Sequence, residues 1–208
     1  MSKRGLFITF EGADGCGKTT QIQKTAEYLK SRGIDCMITR EPGGTELGNK
    51  LREILLNYDG EVSNTCELFL YLADRAQHID TKITPAVNSG VIVLCDRHTD
   101  STVAYQGYAR GLNIERLHVL NNIATSGVVP DLTLVFDVET EIAAERVGKN
   151  KDRMESESIE FHKKVRYGYL ELAKQSPDRI RVINANNDIE SVFNDTVKVL
   201  NNVPGIGE

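Results

Sequence analysis

The chain has 208 residues, a formal net charge of −5 and a hydrophobic content of 40%. These values suit one domain with a full core, and the lack of a long basic run argues against a general nucleic-acid-binding surface. No apolar run is long enough to span a bilayer, the first residues lead directly into a strand, and the four cysteines are scattered, so we expect a cytoplasmic protein with reduced thiols and no signal peptide.

The first predicted elements are a strand, a glycine-rich loop and a helix. Residues 6–10 form a short apolar run of the kind found in buried strands, and residues 12–19 fit the phosphate-loop pattern G-x-x-x-x-G-K-[ST]. Glycines let successive N–H groups turn toward phosphate oxygens, and the helix start adds its positive dipole end. Lys18 would then reach the β- and γ-phosphates, and the Thr19 hydroxyl would bind Mg²⁺. The alternative is a plain glycine turn. The predicted ATP-binding residues are Gly12, Ala13, Asp14, Gly15, Cys16, Gly17, Lys18, Thr19 and Thr20.

Strands and helices alternate along the rest of the chain. The other predicted strands are residues 34–39, 91–95, 131–138 and 179–183, and the helices that follow the first one are residues 46–57, 65–88 with Pro85 as a kink or stop, 113–126, 139–147, 156–174 and 188–200. A loop or short helix is expected at residues 99–111, and the tail from residue 201 is expected to fray. Alternation of this kind predicts a three-layer α/β/α fold with a five-stranded parallel sheet.

Ligands of such sheets bind beyond the carboxyl ends of the strands. Three segments, residues 12–19, 40–44 and 96–106, follow predicted strand ends, and Asp137 lies at the carboxyl end of another strand. We therefore expect them to lie together. Asp96 is placed to hold Mg²⁺ through water, and Arg97 could clamp a phosphate, although a surface ion pair is an alternative. Arg40 stands on a loop fixed by Pro and Gly, which could also be a mere turn.

Two further patterns have a functional and a plain interpretation. Tyr71 and Arg75 are four residues apart on a helix, so a ring and a guanidinium could together recognise a base. They could equally be an ordinary pair, with Tyr71 in the core and Arg75 on the surface. Residues 145–153 carry four cations between two helices, which fits a lid that closes over a phosphoryl group but also a solvated loop.

Several motifs together closely resemble the thymidylate kinase family of phosphate-loop nucleoside monophosphate kinases, over nearly the whole chain. They are FEGADGCGKTT at residues 10–20, TREPGGT at 39–45, DRH at 96–98 with STVAYQG at 101–107, and PDLTL at 130–134. The resemblance implies a single kinase domain, residues 1–208, with a lid at about residues 146–158. It implies phosphorylation of dTMP to dTDP by MgATP in dTTP biosynthesis, and a homodimer. From the charge and the lack of a membrane-spanning run we expect no nucleic-acid or membrane partner. The alternatives are a kinase for another nucleotide, a nucleotide-binding switch without turnover, and an inactive partner protein.

The resemblance also implies roles for individual residues. Arg40 and Arg97 would grip the dTMP phosphate, Arg75 would bond the thymine O4, and Asp14 would lie near the sugar and metal. Thr102 and Gln106 would face the base or its N3, and Tyr105 would crowd the 2′ carbon and so favour deoxyribose. Tyr71 stands where the family usually has Phe, and its hydroxyl needs a partner or water.

The phosphate loop and the lid indicate one of two family variants. One variant has an arginine in the phosphate loop, and the other, typical of many bacteria, has glycine there and a basic lid. Gly15 and the cations of residues 146–153 place this chain with the second. We predict that Arg146 and Arg153 meet the γ-phosphoryl charge, ahead of Lys149 and Lys151.

Overall fold

The computed structural model describes residues 4–148 and 151–207. Within them, five parallel strands form one sheet in the order β2-β3-β1-β4-β5. The strands are β1 (Phe7–Glu11), β2 (Cys36–Arg40), β3 (Ile92–Asp96), β4 (Leu132–Asp137) and β5 (Ile180–Asn184). Arg40 on β2 pairs in register with Asp96 on β3, and Asp96 pairs with Phe10 on β1, so the carboxyl ends of these three strands are level. The predicted fold class is confirmed.

Helices cover both faces of the sheet. They are α1 (Lys18–Ser31), α2 (Glu46–Asn57), α3 (Asn64–His78), α4 (Thr84–Asn88), α5 (Thr99–Thr102), α6 (Ile114–Ala124), α7 (Thr140–Val147), α8 (Ile159–Gln175) and α9 (Ile189–Leu200). Short polar side chains begin several of them: Thr45 accepts from the Gly48 N–H, and Ser63 from the Cys66 N–H. These caps satisfy backbone donors that a first helical turn leaves free.

The predicted helix 65–88 is present but changes pitch. A π-helical turn, Ile79–Ile83, joins α3 to α4, and Pro85 lies two residues after it, in the first turn of α4. Pro85 has no N–H to donate to the preceding turn, which accounts for the wider turn before it. A second π-helical segment, Val103–Ala109, continues α5, so the region left open as a loop or short helix is helical.

The core alternates between the two faces of the sheet, as side chains of a strand must. Ile8 and Phe10 of β1 pack in one cluster with α1 and α9. Phe7, one residue earlier, points the other way and packs against Ile79 and Ile83. The three-layer arrangement follows from this alternation in a sheet that is covered on both sides.

The chain beyond α9 does not fray, and the prediction for residues 201–207 is wrong. Ile206 is fully buried in the same cluster as Leu200, and its N–H donates to the Val203 carbonyl. One apolar side chain therefore anchors a tail otherwise rich in Gly and Asn. None of the helices in the described part of the chain combines the length and apolar character needed to cross a bilayer.

Candidate active site

The loops at the carboxyl edge of the sheet enclose one cavity of about 650 Å³. Arg40, Asp96 and Arg97 line it together with Lys18, although the sequence separates them widely. The predicted site residues among its lining are Asp14, Gly15, Cys16, Gly17, Lys18, Thr19, Thr20, Arg40, Tyr71, Arg75, Asp96, Arg97, Thr102, Tyr105, Gln106 and Arg146. Parallel strand ends have thus brought together the predicted phosphate, base and metal residues.

The phosphate loop turns sharply between β1 and α1. Gly17, in a left-handed conformation with φ of 91°, precedes the first turn of α1. Lys18 is buried, and its Nζ donates to the Gly12 and Ala13 carbonyls at 3.0 Å each. The loop therefore holds the ammonium at its centre, beside the free N–H groups at the start of a fourteen-residue helix. A helix start with a lysine above it is an anion site.

Asp14 connects the phosphate loop to the loop after β3. The Arg97 Nη2 donates to Asp14 Oδ1 at 2.6 Å, and the Tyr105 hydroxyl donates to Asp14 Oδ2 at 3.0 Å. Arg97 also donates from Nη1 to the Gly12 carbonyl at 2.9 Å and to the Tyr169 hydroxyl at 3.0 Å. Burial by itself raises the pKa of Asp14, but the charges of Arg97 and Lys18 outweigh it and lower that pKa well below its usual range. Asp14 is therefore a fixed anion between two cations.

Arg75 is buried, which excludes the interpretation of a surface residue. Its Nε donates to Glu41 Oε2 at 2.9 Å, and its Nη1 donates to Thr102 Oγ1 and to Asn121 Oδ1 at 2.7 Å each. Its Nη2 donates to the His98 carbonyl at 2.9 Å. Four of five guanidinium donors are thereby used, and the side chain is rigid at the cavity wall.

Tyr71, one turn before Arg75 on α3, lines the same wall. Burial, followed by the negative charge of Glu67, raises the pKa of its hydroxyl. The ring therefore stays neutral at the cavity surface, as an aromatic platform for a base should.

The residues predicted to bind metal fit a divalent cation. Thr19 and Asp96 both line the cavity, and Asp96 Oδ1 is buried with no hydrogen-bond partner among the residues described. A buried carboxylate oxygen without a partner is unfavourable unless a ligand satisfies it. Hydroxyl and carboxylate oxygens are the donors that Mg²⁺ prefers.

The family model described as thymidylate kinase matches residues 10–196 of the chain. This chain belongs to the thymidylate kinase family. It is 48% identical over 198 residues to a thymidylate kinase of Thermoanaerobacter sp. (strain X514). This alignment covers 95% of this chain and 98% of that protein. It is 50% identical over 204 residues to one from Pelotomaculum thermopropionicum, with 96% and 94% covered. The crystal structure of thymidylate kinase from Ehrlichia chaffeensis superposes with a TM-score of 0.78 at 37% identity, covering 95% of this chain and 98% of that one.

Sterics explain why position 15 of the phosphate loop is glycine in this chain. Gly15 has φ of 79°, and a Cβ at that position would collide with the Ala143 carbonyl of α7. An arginine there would therefore require α7 to move.

The two arginines predicted to act from a lid, Arg146 and Arg153, lie in different places. Arg146 lines the cavity and donates to the Ala185 carbonyl at 3.2 Å. Arg153 is not part of the cavity lining: its Nε donates to the Leu55 carbonyl at 2.8 Å, and its Nη1 pairs with Glu67 Oε2 at 2.7 Å. The structure thus does not bring Arg153 to the phosphate loop: buried Glu67 pairs with its Nη1 elsewhere, while its buried Nη2 has no hydrogen-bond partner among the described residues. Lys149 lies outside the described residues.

Arg52 is a further cation close to Arg40 that the sequence did not predict as a site residue. Arg52 of α2 lines the cavity and donates to the Pro42 carbonyl at 3.0 Å. Burial, and then repulsion from Arg40, lowers its pKa. The only signal for Arg52 in the sequence is a charge on the otherwise apolar inner face of an amphipathic helix, which is a weak one.

Asp74, on α3, provides a pH-dependent stability test. It is fully buried; its Oδ1 accepts from the Gly43 N–H at 3.0 Å, while its Oδ2 has no partner among the described residues. Burial, and then the charge of Glu41, raises its pKa from 3.8 to about 6. The pKa of Asp74 is higher in the folded chain than in the unfolded chain. Its stabilising contribution is therefore complete below the unfolded-state pKa, where the carboxyl is protonated, and is lost as the pH rises through the folded-state pKa of about 6.

We therefore expect Asp74→Asn, which keeps the acceptor for Gly43, to gain about 3 kcal/mol of unfolding free energy relative to the native chain between about pH 4 and pH 7. Denaturant unfolding of both proteins at each pH measures the difference. A difference that is constant with pH would contradict the titration of Asp74.

Proposed function

We propose that the cavity holds ATP on the phosphate loop and dTMP opposite it, so that the γ-phosphoryl group passes in line to a dTMP phosphate oxygen, giving ADP and dTDP. As a thymidylate kinase family member, the chain phosphorylates dTMP with ATP as donor. The observation that carries the proposed site is that one cavity is lined by Lys18 of the phosphate loop and by three further cations, Arg40, Arg52 and Arg97. Two facing phosphate chains need such a pair of cationic regions.

The chain's chemical task is positioning and charge neutralisation. The dTMP phosphate is already an anion at neutral pH, so no general base and no covalent intermediate are required. Lys18 would leave its loop carbonyls for the β- and γ-phosphates. Arg97, held by Asp14, the Gly12 carbonyl and Tyr169, would bridge toward the acceptor phosphate.

Mg²⁺ is part of the proposal, with Thr19 and Asp96 as the residues that would hold it. The ion, when bound, neutralises charge on the β- and γ-phosphate oxygens. Asp96 would act through its unpartnered Oδ1.

Base recognition is assigned to the cavity-lining side chains of α3 and of the segment from α5 through the second π-helical turn. Tyr71 would stack on thymine, the remaining Arg75 N–H would donate to its O4, and Gln106 would face its N3. Thr102 is engaged by Arg75 Nη1, so we assign it to fixing that guanidinium. Tyr105 would fill the space at the sugar's 2′ carbon and favour deoxyribose.

The lid assignment stays part of the proposal. Arg146 is already at the cavity and needs little movement to meet a nucleotide there. Arg153 would have to exchange Glu67 for the phosphoryl group during closure of residues 146–158 over a single kinase domain. Closure would also exclude water, which would otherwise accept the phosphoryl group.

A turnover panel of dTMP, dUMP, dCMP, dGMP and dAMP with MgATP tests the proposed function. We expect kcat/KM to be highest for dTMP and the purine nucleotides to be poor. Preference for a purine would refute the thymine pocket. Slow ATP or GTP hydrolysis that does not respond to dTMP would instead indicate a nucleotide switch.

A homodimer is proposed from the apolar surface of two contacting helices. Val119 and Ile123, four residues apart on α6, are 61% and 68% exposed, and Phe69 on the adjacent α3 is 55% exposed. Neighbouring exposed apolar side chains, such as a pair four residues apart on one helix, are typical of interaction surfaces, whereas single ones are not. We expect Ile123→Glu to convert a dimer into a monomer in sedimentation velocity, while Tyr167→Glu on α8 leaves the sedimentation coefficient unchanged. A native chain that sediments as a monomer would contradict the dimer.

A further inference from the structure

Glu67, in the first turn of α3, is the meeting point of three elements around the base end of the cavity. Its side chain is only 1% exposed. Its Oε1 accepts from Gln106 Nε2 at 3.0 Å and from Arg110 Nε at 3.3 Å. Its Oε2 accepts from Arg110 Nη2 at 3.2 Å and pairs with Arg153 Nη1 at 2.7 Å. The carboxylate thus touches the base-facing glutamine and a lid arginine at once.

Two arginines keep this buried carboxylate charged. Burial by itself raises the pKa of Glu67, but the hydrogen bonds from Arg110 and Gln106 outweigh it, so that the pKa lies below its usual value. Arg110 is itself held by Glu157, at 2.6 Å. A charged carboxylate accepts hydrogen bonds and cannot donate one.

Because the Glu67 carboxylate can only accept hydrogen bonds, it fixes the orientation of the Gln106 side-chain amide. A primary amide has a donor end and an acceptor end of nearly equal shape, so it can turn over unless a neighbour fixes it. Against an acceptor-only Glu67 the NH₂ group must face inward. Gln106 lines the cavity and therefore presents its carbonyl oxygen to the ligand. That oxygen can accept from a ring N3–H, which thymine and uracil have, but it repels the bare N3 lone pair of cytosine.

We infer that Glu67 is a positioning residue that fixes the Gln106 amide and thereby sets the preference of the site for a pyrimidine with an N3–H over cytosine. The inference rests on the proposed function of the cavity. Glu67 itself does not line the cavity, so it would act through Gln106 and contact neither substrate.

Glu67→Gln tests the inference with almost no change of shape. A glutamine at this position can donate as well as accept, so Gln106 becomes free to turn over. We expect the ratio of kcat/KM for dTMP to that for dCMP to fall at least tenfold, mainly through a higher KM for dTMP, with the KM for ATP within twofold of native. A loss that affects dTMP and dCMP equally would show a merely structural role and overturn the inference.

Three comparisons sharpen the result. Glu67→Asp keeps an acceptor-only group and is expected to retain the native dTMP:dCMP ratio within about threefold; a ratio that collapses as in Glu67→Gln would count against the inference. Gln106→Ala should lower the ratio, and adding Glu67→Gln to it should lower the ratio no further, whereas independent losses would overturn the coupling. Glu171→Gln makes the same charge change on α8, where Glu171 pairs with Lys174 at 2.7 Å and does not line the cavity, and it should leave the ratio within twofold.

The native protein separates this inference from the proposed function. If it fails to phosphorylate dTMP, the proposed function fails. Suppose instead that the native protein phosphorylates dTMP in strong preference to dCMP. If Glu67→Gln then keeps that preference and unfolds at nearly the same temperature as the native protein, only the positioning role of Glu67 is refuted and the proposed function stands.

Discussion

Lys18→Ala is expected to lower kcat for dTMP phosphorylation by at least about a thousandfold, equivalent to about 4 kcal/mol of transition-state stabilisation. The ammonium is the buried cation at the centre of the phosphate loop, held by the Gly12 and Ala13 carbonyls. Within the described residues its hydrogen bonds all stay inside the phosphate loop, so we expect the fold to remain intact without it.

The matched control is Lys24→Ala on the same helix. Lys24 pairs with Glu190 at the surface, at 2.7 Å, and does not line the cavity. Steady-state kinetics should place this variant within twofold of native, and circular dichroism should show both variants folded. Near-native turnover in Lys18→Ala would refute the phosphate-loop assignment.

Removal of the Arg97 side chain is the second large expected effect, with kcat/KM for dTMP falling by about two to four orders of magnitude. Its guanidinium joins Asp14, the Gly12 carbonyl and Tyr169, so its loss removes the proposed bridge between the two phosphate sites. It would also leave Asp14 without its closest cation.

The backbone at Arg97 allows the side chain and the conformation to be tested separately. Its φ is 69°, a region that glycine occupies readily and alanine does not. Arg97→Gly should therefore be more stable than Arg97→Ala by about 1 kcal/mol in denaturant unfolding. Both should be equally inactive, and Arg97→Lys should regain only part of the activity because it lacks the planar fork. An active Arg97→Gly would refute the assignment.

The parts of the site that sequence alone predicted are those fixed locally or by sheet topology. Lys18 and Thr19 lie in one continuous loop between a strand and a helix, which a pattern can describe. Arg40, Asp96 and Arg97 follow strand ends, and a parallel sheet must place such residues at one edge. These positions required no knowledge of side-chain partners.

The parts that sequence could not predict depend on partners far apart in the chain. Helical spacing allows Arg75 to lie either at the surface or at the site. Only its contacts with Glu41 and Asn121 show that it is buried at the site. Arg153 was expected at the phosphoryl group, yet Glu67, 86 positions earlier, binds it. The burial of Ile206 depends on a turn after α9 that a short run of Gly, Pro and Asn does not specify.

The close approach of Gly15 to the Ala143 carbonyl limits how this enzyme could change over time. A single replacement of Gly15 by arginine would strike the backbone of α7, the same helix that places Arg146 in the cavity lining. A lineage that moved from this arrangement to one with an arginine in the loop would have to shift α7 first, and so displace Arg146 before the replacement became useful. The order of mutations is thus constrained by one interatomic contact, and intermediates along that path should be poor catalysts.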